Sequence, residues 1–538
     1  MHSSLAFLLL TGSAVAQTLF PAPPEHPANP TTPDKVLLGK ALFWDEQLSS
    51  TRTVACGTCH VFGHGGADPR AGDAVHPGPD GVFDSLDDTR GSPGVPRHTA
   101  NGSYVASPFG IGAQTTPRRA PSVINAAYAT ELFADGRAGE VFRDPLTQAI
   151  VLPYSGALES QVASPLVNPT EMAHIGRTWA DVAAELPALT PLALASNLPT
   201  TLQQFVAGRD YDQLFTQVFG SPGVTPVRIA FALAAYERTL VSDQSPYDLW
   251  LAGQGTLTTQ QTLGLAIFAT RCFSCHTDLA PSVLATGPLD EFRNIGVRPP
   301  AEDPGRAAVT GKAGDRGRFR VPGLRNVALR APYFHNGGMP GLVEVIEFYA
   351  RGGDFADNRD PLVAAIQGHI SPLDNALLRA LLGALTDPRV ANELPPFDRP
   401  TLWSEGPAAH APFGAGTAVA GAPALHIGAL TPARLGSPLT LGADGFAPGQ
   451  PTALLLDAVG GAPTSVLGHE TFLGLSPALV IASMATTVAW PNGGVATTTL
   501  AIPAAPAVAG TWWLQWLALD PNGPAGLATS PTLRLTIY

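Results

Sequence analysis

The sequence predicts a multidomain chain: two mainly α-helical domains, each centred on a Cys-x-x-Cys-His pentapeptide, then an all-β, sandwich-like C-terminal domain. Three observations carry that expectation. The pentapeptide occurs twice, as Cys56-Gly57-Thr58-Cys59-His60 and Cys272-Phe273-Ser274-Cys275-His276. A helical pattern runs into each copy and another follows well after it. Beyond about Pro395 charge almost disappears. Residues 401–538 carry only Glu405, Arg434, Asp444, Asp457, Glu470, Asp520 and Arg534 as charged side chains, and no lysine.

Each pentapeptide has the spacing of a c-type haem attachment site. Two thiols add to the haem vinyl groups, and the adjacent histidine becomes the proximal iron ligand. Two covalently bound c-type haems are expected, on Cys56 and Cys59 and on Cys272 and Cys275, with His60 and His276 on the irons. All four cysteines of the chain lie in these motifs. The competing reading is zinc or a redox Cys-x-x-Cys. A four-cysteine zinc site does not require a histidine after each pair, and a thioredoxin-like site needs one pair only. The helical units therefore read as cytochrome c-type haem domains.

The 538 residues, 45% of them hydrophobic, are enough for several domains. A net charge of −12 argues against nucleic acid as a partner and leaves room for a basic redox protein. Residues 1–16 read as a signal peptide, an apolar run ending in Ala14-Val15-Ala16, with a linker at 17–31. A buried core helix is the alternative. The run is too short to span a bilayer, and no other stretch reads as transmembrane. Export agrees with the haem motifs, so a soluble periplasmic or secreted protein is expected.

Along the chain, Thr32 is placed as the N-cap and Pro33 as the first residue of a helix reaching Phe43. Residues 61–118 read as loop. Within them, carboxylates from Asp80 to Asp88 alternate around Gly81. Calcium or plain solvation would explain them, and the spacing is not that of an EF-hand. Residues 146–163 look like an insertion. Helices are expected over about 201–218, 226–240, 259–271, 341–351 and 373–386, with Thr258 and Gln261 as a capping box. No internal repeat is evident outside the pentapeptides. The expected haem domains are 32–245 and 246–395, followed by a linker at 396–422 and a β domain at 423–538. Short β-favouring runs between Gly/Pro turns, such as Thr452–Leu456 and Thr511–Leu519, suggest the sandwich. Trp512, Trp513 and Trp516 read as its core and interface aromatics.

Several blocks now stand in order. Leu38-Gly39-Lys40-Ala41-Leu42-Phe43 precedes the first pentapeptide. Arg119-Ala120-Pro121-Ser122, Asp135-Gly136-Arg137-Ala138 and Asn168-Pro169-Thr170-Glu171-Met172 follow it. After the second come Asp303-Pro304-Gly305-Arg306, Phe319-Arg320-Val321-Pro322-Gly323-Leu324-Arg325-Asn326-Val327 and Ala331-Pro332-Tyr333-Phe334-His335-Asn336-Gly337. This series resembles the bacterial di-haem cytochrome c peroxidases and their MauG-like relatives over roughly residues 33–390. The resemblance implies that the His60 haem is the peroxide site and the His276 haem takes electrons from an external donor.

It further implies Glu171 as the carboxylate that moves the peroxide proton, and Gln161 as the amide that orients peroxide. An Asn-Pro-x-Glu turn is also a common helix cap. His76 matches a releasable sixth ligand of the first haem, with His64 and His98 competing and an ordinary loop histidine as the alternative. At the second haem Tyr349 stands where electron-transferring relatives carry methionine and MauG-like enzymes carry tyrosine. Met339 is the rival ligand, and Tyr349 merely packing is the plain alternative. A phenolate favours Fe(III) and lowers the potential; methionine does the opposite. Ala134 replaces an inter-haem tryptophan, with Phe133 or Tyr128 as neighbours that would stand in. Arg119 replaces an asparagine ligand of an inter-haem calcium whose other ligands match the Arg330 and Pro332 carbonyls, which puts calcium in doubt.

The resulting expectation is an exported peroxidase-like oxidoreductase. It reduces hydrogen peroxide to water with electrons from a small cytochrome or cupredoxin. The alternatives are a MauG-like oxidase acting on a protein or small molecule through high-valent haem, and a di-haem electron carrier without peroxide chemistry. A homodimer and the role of the β domain stay open.

Overall fold

One packing device is used twice. The helix Pro33–Phe43 lies against Pro226–Glu237, and Thr259–Arg271 lies against Pro372–Ala384. Each contact is closed by a glycine. A Cβ on Gly39 would sit 1.9 Å from the Ala232 carbonyl oxygen, and one on Gly264 would sit 2.2 Å from that of Leu377. No larger residue lets the backbones approach so closely. The sequences around these glycines, Leu38-Gly39-Lys40-Ala41-Leu42-Phe43 and Leu263-Gly264-Leu265-Ala266-Ile267-Phe268, are a repeat outside the pentapeptides, contrary to expectation.

A second repeat follows each motif. Asn125 and Asn326 both take φ of 60° and open a single 3₁₀ turn; Phe133 and Phe334, at φ of 66° and 68°, then enter short bridges, Leu132 to Ala138 and Tyr333 to Met339. Left-handed backbone at a phenylalanine is unusual, and finding it at both equivalent positions marks a shared architecture.

The computed structural model describes residues 19–277, 291–406, 411–413, 426–434, 437–446, 451–457, 460–466, 469–473, 479–485, 487–490, 493–502, 504, 510–519 and 527–537. The expected signal peptide at 1–16 and much of the expected linker at 396–422 lie outside these. Two helical cores result. One gathers Leu38, Phe43, Trp44, Phe62, Tyr211, Phe215 and Tyr236; the other gathers Tyr247, Phe268, Ile346, Leu378 and Leu381. Among the described residues no helix is long and apolar enough to cross a membrane.

The expected helices form with small changes. The run at 201–218 is broken into Thr200–Val206 and Tyr211–Phe219 around Gly208, whose φ is 69°. Thr258 and Gln261 do form a capping box, whereas the Thr32 side chain makes no cap bond. The expected insertion at 146–163 is part of the core: Leu152, Ala157, Leu158 and Val162 are buried. The expected linkers are also packed. Asn29 is fully buried and donates to Glu159, while Phe20 packs with Tyr128 and Val241. Phe397 and Leu402 return to the first core, and the Trp403 and Ser404 N–H groups donate to the Glu46 carboxylate. Buried carboxylates recruited these polar-looking segments, because each needs donors that its apolar surroundings lack.

Among the described residues the C-terminal strands form two larger antiparallel sheets and a separate pair, Gly460–Val466 with His469–Leu473. One runs His426–Ala429, Pro438–Phe446, Gly493–Ala501, Thr487–Trp490. The other runs Leu479–Ala485, Pro451–Asp457, Gly510–Leu519, Thr532–Ile537, Ala411–Phe413, with Leu527–Thr529 also on Gly510–Leu519. Leu439 and Leu441 of the first share a core with Leu454, Leu514, Trp516 and Leu533 of the second. Trp516 is fully buried, while Trp512 packs at its margin. The sheet of Pro438–Phe446 touches the first helical unit, where the Ile111 N–H donates to Asp444 at 2.9 Å.

Candidate functional site

Both pentapeptides are wound as one helical turn. The His60 N–H donates to the Cys56 carbonyl at 3.1 Å and that of His276 to Cys272 at 3.0 Å. This puts two thiols and an imidazole of each motif on the wall of one cavity. The imidazoles are held alike: His60 Nδ1–H donates to the Gly66 carbonyl at 3.2 Å, and His276 Nδ1–H to that of Pro322 at 3.3 Å. A carbonyl can only accept, so the bond fixes the proton on Nδ1 and leaves the Nε2 lone pair as a metal ligand. Burial lowers the His60 pKa, which also favours the neutral ring. The four cysteines form no disulfide.

The first cavity, of about 620 Å³, is lined by Cys56, Cys59, His60, His76, Gln161 and Glu171 together. The second, of about 600 Å³, is lined by Cys272, Cys275, His276 and Tyr349. These volumes suit a cofactor-sized ligand. The two thiols and one Nδ1-anchored imidazole on each wall are the donor set a c-type haem requires, so the residues present fit the group.

Glu171 is aimed by its own turn. The N–H groups of Glu171, Met172 and Ala173 all donate to the Asn168 carbonyl, and Asn168 Nδ2 donates to Glu171 Oε1 at 2.7 Å. It caps no helix. Burial raises its pKa, with Arg137 opposing. Gln161 lies in the last turn of the helix Ala157–Val162, on the same wall.

Of the three histidines considered for the first haem, His76 alone lines the cavity. Its strand Val75–His76 pairs with Thr89–Arg90, and its Nδ1 is buried without a hydrogen-bond partner. His64 is exposed. His98 is buried elsewhere, its Nδ1–H donating to Pro96 and its Nε2 bonded to Ser50 Oγ. At the second cavity, Met339 is not among the lining residues; its backbone pairs with Tyr333. Burial, with Cys272 and Cys275 beside it, raises the Tyr349 pKa. The acidic loop turns inward on itself: Asp87 accepts from the Asp80 N–H and Ser85 Oγ, and Asp88 from the Asp84 N–H.

The two cavities share a wall. Arg119, Phe133, Ala134, Arg320 and His335 line both. Ala134 lies on that shared wall, and its carbonyl accepts from the Arg320 N–H at 2.8 Å. Phe133 is its aromatic neighbour there; Tyr128 is not, since its hydroxyl donates to Pro21. Two further lining residues, His335 on both cavities and Glu237 on the first, have no role assigned from the sequence. His335 stacks on Phe319 with centroids 3.6 Å apart, and burial pushes its imidazole down to about 4. Glu237 is buried on the first cavity, where desolvation and Glu159 push it up to about 8. A lone carboxylate after the apolar run Ile229–Tyr236 was the available signal.

Residues 33–256 match the family model for di-haem cytochrome c peroxidase. The chain is 30% identical over 325 residues to the cytochrome c peroxidase Ccp of Escherichia coli (strain K12), covering 60% of this chain and 54% of that one. It is 30% identical over 340 residues to the methylamine utilization protein MauG of Methylophilus methylotrophus, covering 61% and 77%. The chain thus spans about half the length of the first of these relatives and three quarters of the second. In fold it is similar to the crystal structure of a MauG-like protein associated with microbial copper homeostasis, with a TM-score of 0.51, 24% identity, and coverage of 72% of this chain and 98% of that one.

Proposed function

The chain belongs to the di-haem cytochrome c peroxidase and MauG family, and from that premise we propose that it is an exported peroxidase that reduces hydrogen peroxide to two waters. A small cytochrome or cupredoxin supplies the two electrons. The observation that carries this reading is the placement of Glu171 and Gln161 on the same cavity wall as Cys56, Cys59 and His60. The haem held by Cys56, Cys59 and His60 would supply the iron site and the redox equivalents for O–O cleavage.

The side chains do the rest. Gln161 donates its amide N–H to bound peroxide. Glu171 accepts the proton of the inner oxygen and returns it to the outer oxygen as water leaves. Asn168 holds Oε1, so that Oε2 is left for the proton. His76 is the proposed releasable ligand on the same wall. Cys272, Cys275 and His276 would hold the electron-accepting haem, and Tyr349, which lines that cavity where Met339 does not, would serve as a further ligand.

Tyr349 favours a second reading, a MauG-like oxidase of a protein or small molecule. Ala134 supports neither, because the described residues of the wall include no indole for electron hopping. A di-haem carrier without peroxide chemistry is the reading that Glu171 opposes. Peroxide turnover of the haem-loaded protein with reduced cytochrome, against Glu171→Gln, separates the first reading from the last.

A further inference from the structure

The wall between the cavities contains a cation that forms no ion pair among the described residues. Arg119 lines both cavities. Its Nη2 donates to the Arg330 carbonyl at 2.5 Å, its backbone N–H donates to the His335 carbonyl at 2.8 Å, and its Nε is buried without a hydrogen-bond partner. Among the described residues it forms no ion pair. Its neighbour Arg118 is the contrast, bound to Asp135 and Asp303, each at 2.6 Å. Burial and the Arg330 guanidinium push Arg119 down to about 10, which still leaves it charged at neutral pH. A guanidinium is rarely buried without an anion, because its desolvation goes uncompensated. The Arg330 carbonyl is the partner that holds its Nη2.

The resemblance implies a calcium ion between the haems, bound in part by an asparagine and by two carbonyls matched here by Arg330 and Pro332. The residues present do not fit that ion. A guanidinium stands at the asparagine position and offers no oxygen. It also occupies the Arg330 carbonyl, one of the matched ligands, and at that distance its charge repels a divalent cation.

We propose that Arg119 is a built-in replacement for calcium: its guanidinium supplies the positive charge and ties the Arg119 segment to the Arg330 carbonyl. The wall between the cavities is thereby independent of calcium. The proposal rests on the two-haem reading only for what fills the cavities. The guanidinium cross-links the two repeat segments, beside the bond from the Arg119 N–H to the His335 carbonyl.

The test uses the haem-loaded full chain, with haem counted independently by pyridine haemochrome. A count below two overturns the haem reading and leaves the calcium result standing. Elemental analysis of wild type purified in calcium buffer is expected to find no stoichiometric calcium. EGTA should shift neither the visible spectrum nor the thermal midpoint. Arg119→Asn, which restores an oxygen ligand and vacates the carbonyl, should have a lower midpoint in EGTA that added CaCl2 raises. Arg119→Lys, which keeps the charge, should stay indifferent to calcium and serves if Arg119→Asn does not accumulate. One calcium per wild-type chain, removed by EGTA with a spectral change, overturns the proposal. So does an Arg119→Asn protein as stable as wild type in EGTA, or an Arg119→Lys protein that calcium stabilises.

Discussion

Asn168 Nδ2 donates to Glu171 Oε1 at 2.7 Å, while the Asn168 carbonyl accepts the N–H groups of Glu171, Met172 and Ala173. One asparagine therefore fixes both the backbone and the carboxylate of the proposed acid–base residue. Asn168→Ala should leave haem content intact and lower peroxide kcat several-fold through misplacement of Glu171. Asn168→Asp should do more harm, because it sets a second carboxylate against the first and raises the pKa further. Steady-state peroxide kinetics on both variants read the order.

Burial raises the Glu171 pKa, so its proton is held above the ordinary carboxylate range. As a base it must be ionised to accept the peroxide proton. Activity should therefore rise with pH through that raised pKa and fall away on the acid side. A pH profile of kcat/KM for peroxide should show this acid limb. Glu171→Gln should lack it.

Glu237 is a pH lever on stability. Its folded pKa of about 8 exceeds the usual 4.5, so the folded protein binds that proton more tightly than the unfolded chain. Between those values stability should fall as pH rises, since the charge must then be buried. Thermal midpoints of the holoprotein should decline across that window, and Glu237→Gln should flatten the decline.

The helix contact through Gly39 has no room for a side chain. Gly39→Ala would press a Cβ on the Ala232 carbonyl oxygen, costing about 1–3 kcal/mol or more. Urea unfolding followed at the first haem should show an earlier transition, while the same change at Gly208, a loop position with open space, should act through its φ of 69° alone.

Much of this arrangement is legible in the chain because it is local. The pentapeptides, the Thr258 box and the helices at 226–240 and 259–271 depend on neighbours a few residues away. What escapes is long-range. Glu159 is fully buried because Asn29 and Arg238 reach it from distant segments, so residues 146–163 read as an insertion and 17–31 as a linker. Arg119 and His335 become wall residues only once two segments about 200 positions apart are juxtaposed. The strand Pro438–Phe446 sits inside its sheet, yet Gly442, Asp444, Gly445 and an irregular register near Ala443 hide its alternation. The repeat around Gly39 and Gly264 was visible but short, and different spacing to each pentapeptide obscured it.

The identity of the second iron ligand separates the two oxidoreductase readings. Tyr349→Phe should change the electron paramagnetic resonance and absorption of the second haem, and Met339→Leu should leave both unchanged. A His/Met signature in wild type would remove Tyr349 from the iron.

The central claim is tested most directly by Glu171→Gln. In the haem-loaded protein, with two haems confirmed and the ultraviolet–visible spectrum unchanged, peroxide turnover with reduced cytochrome should fall by about 10²–10⁴-fold. Turnover equal to wild type would contradict the assignment of the first cavity as a Glu171-dependent peroxide site.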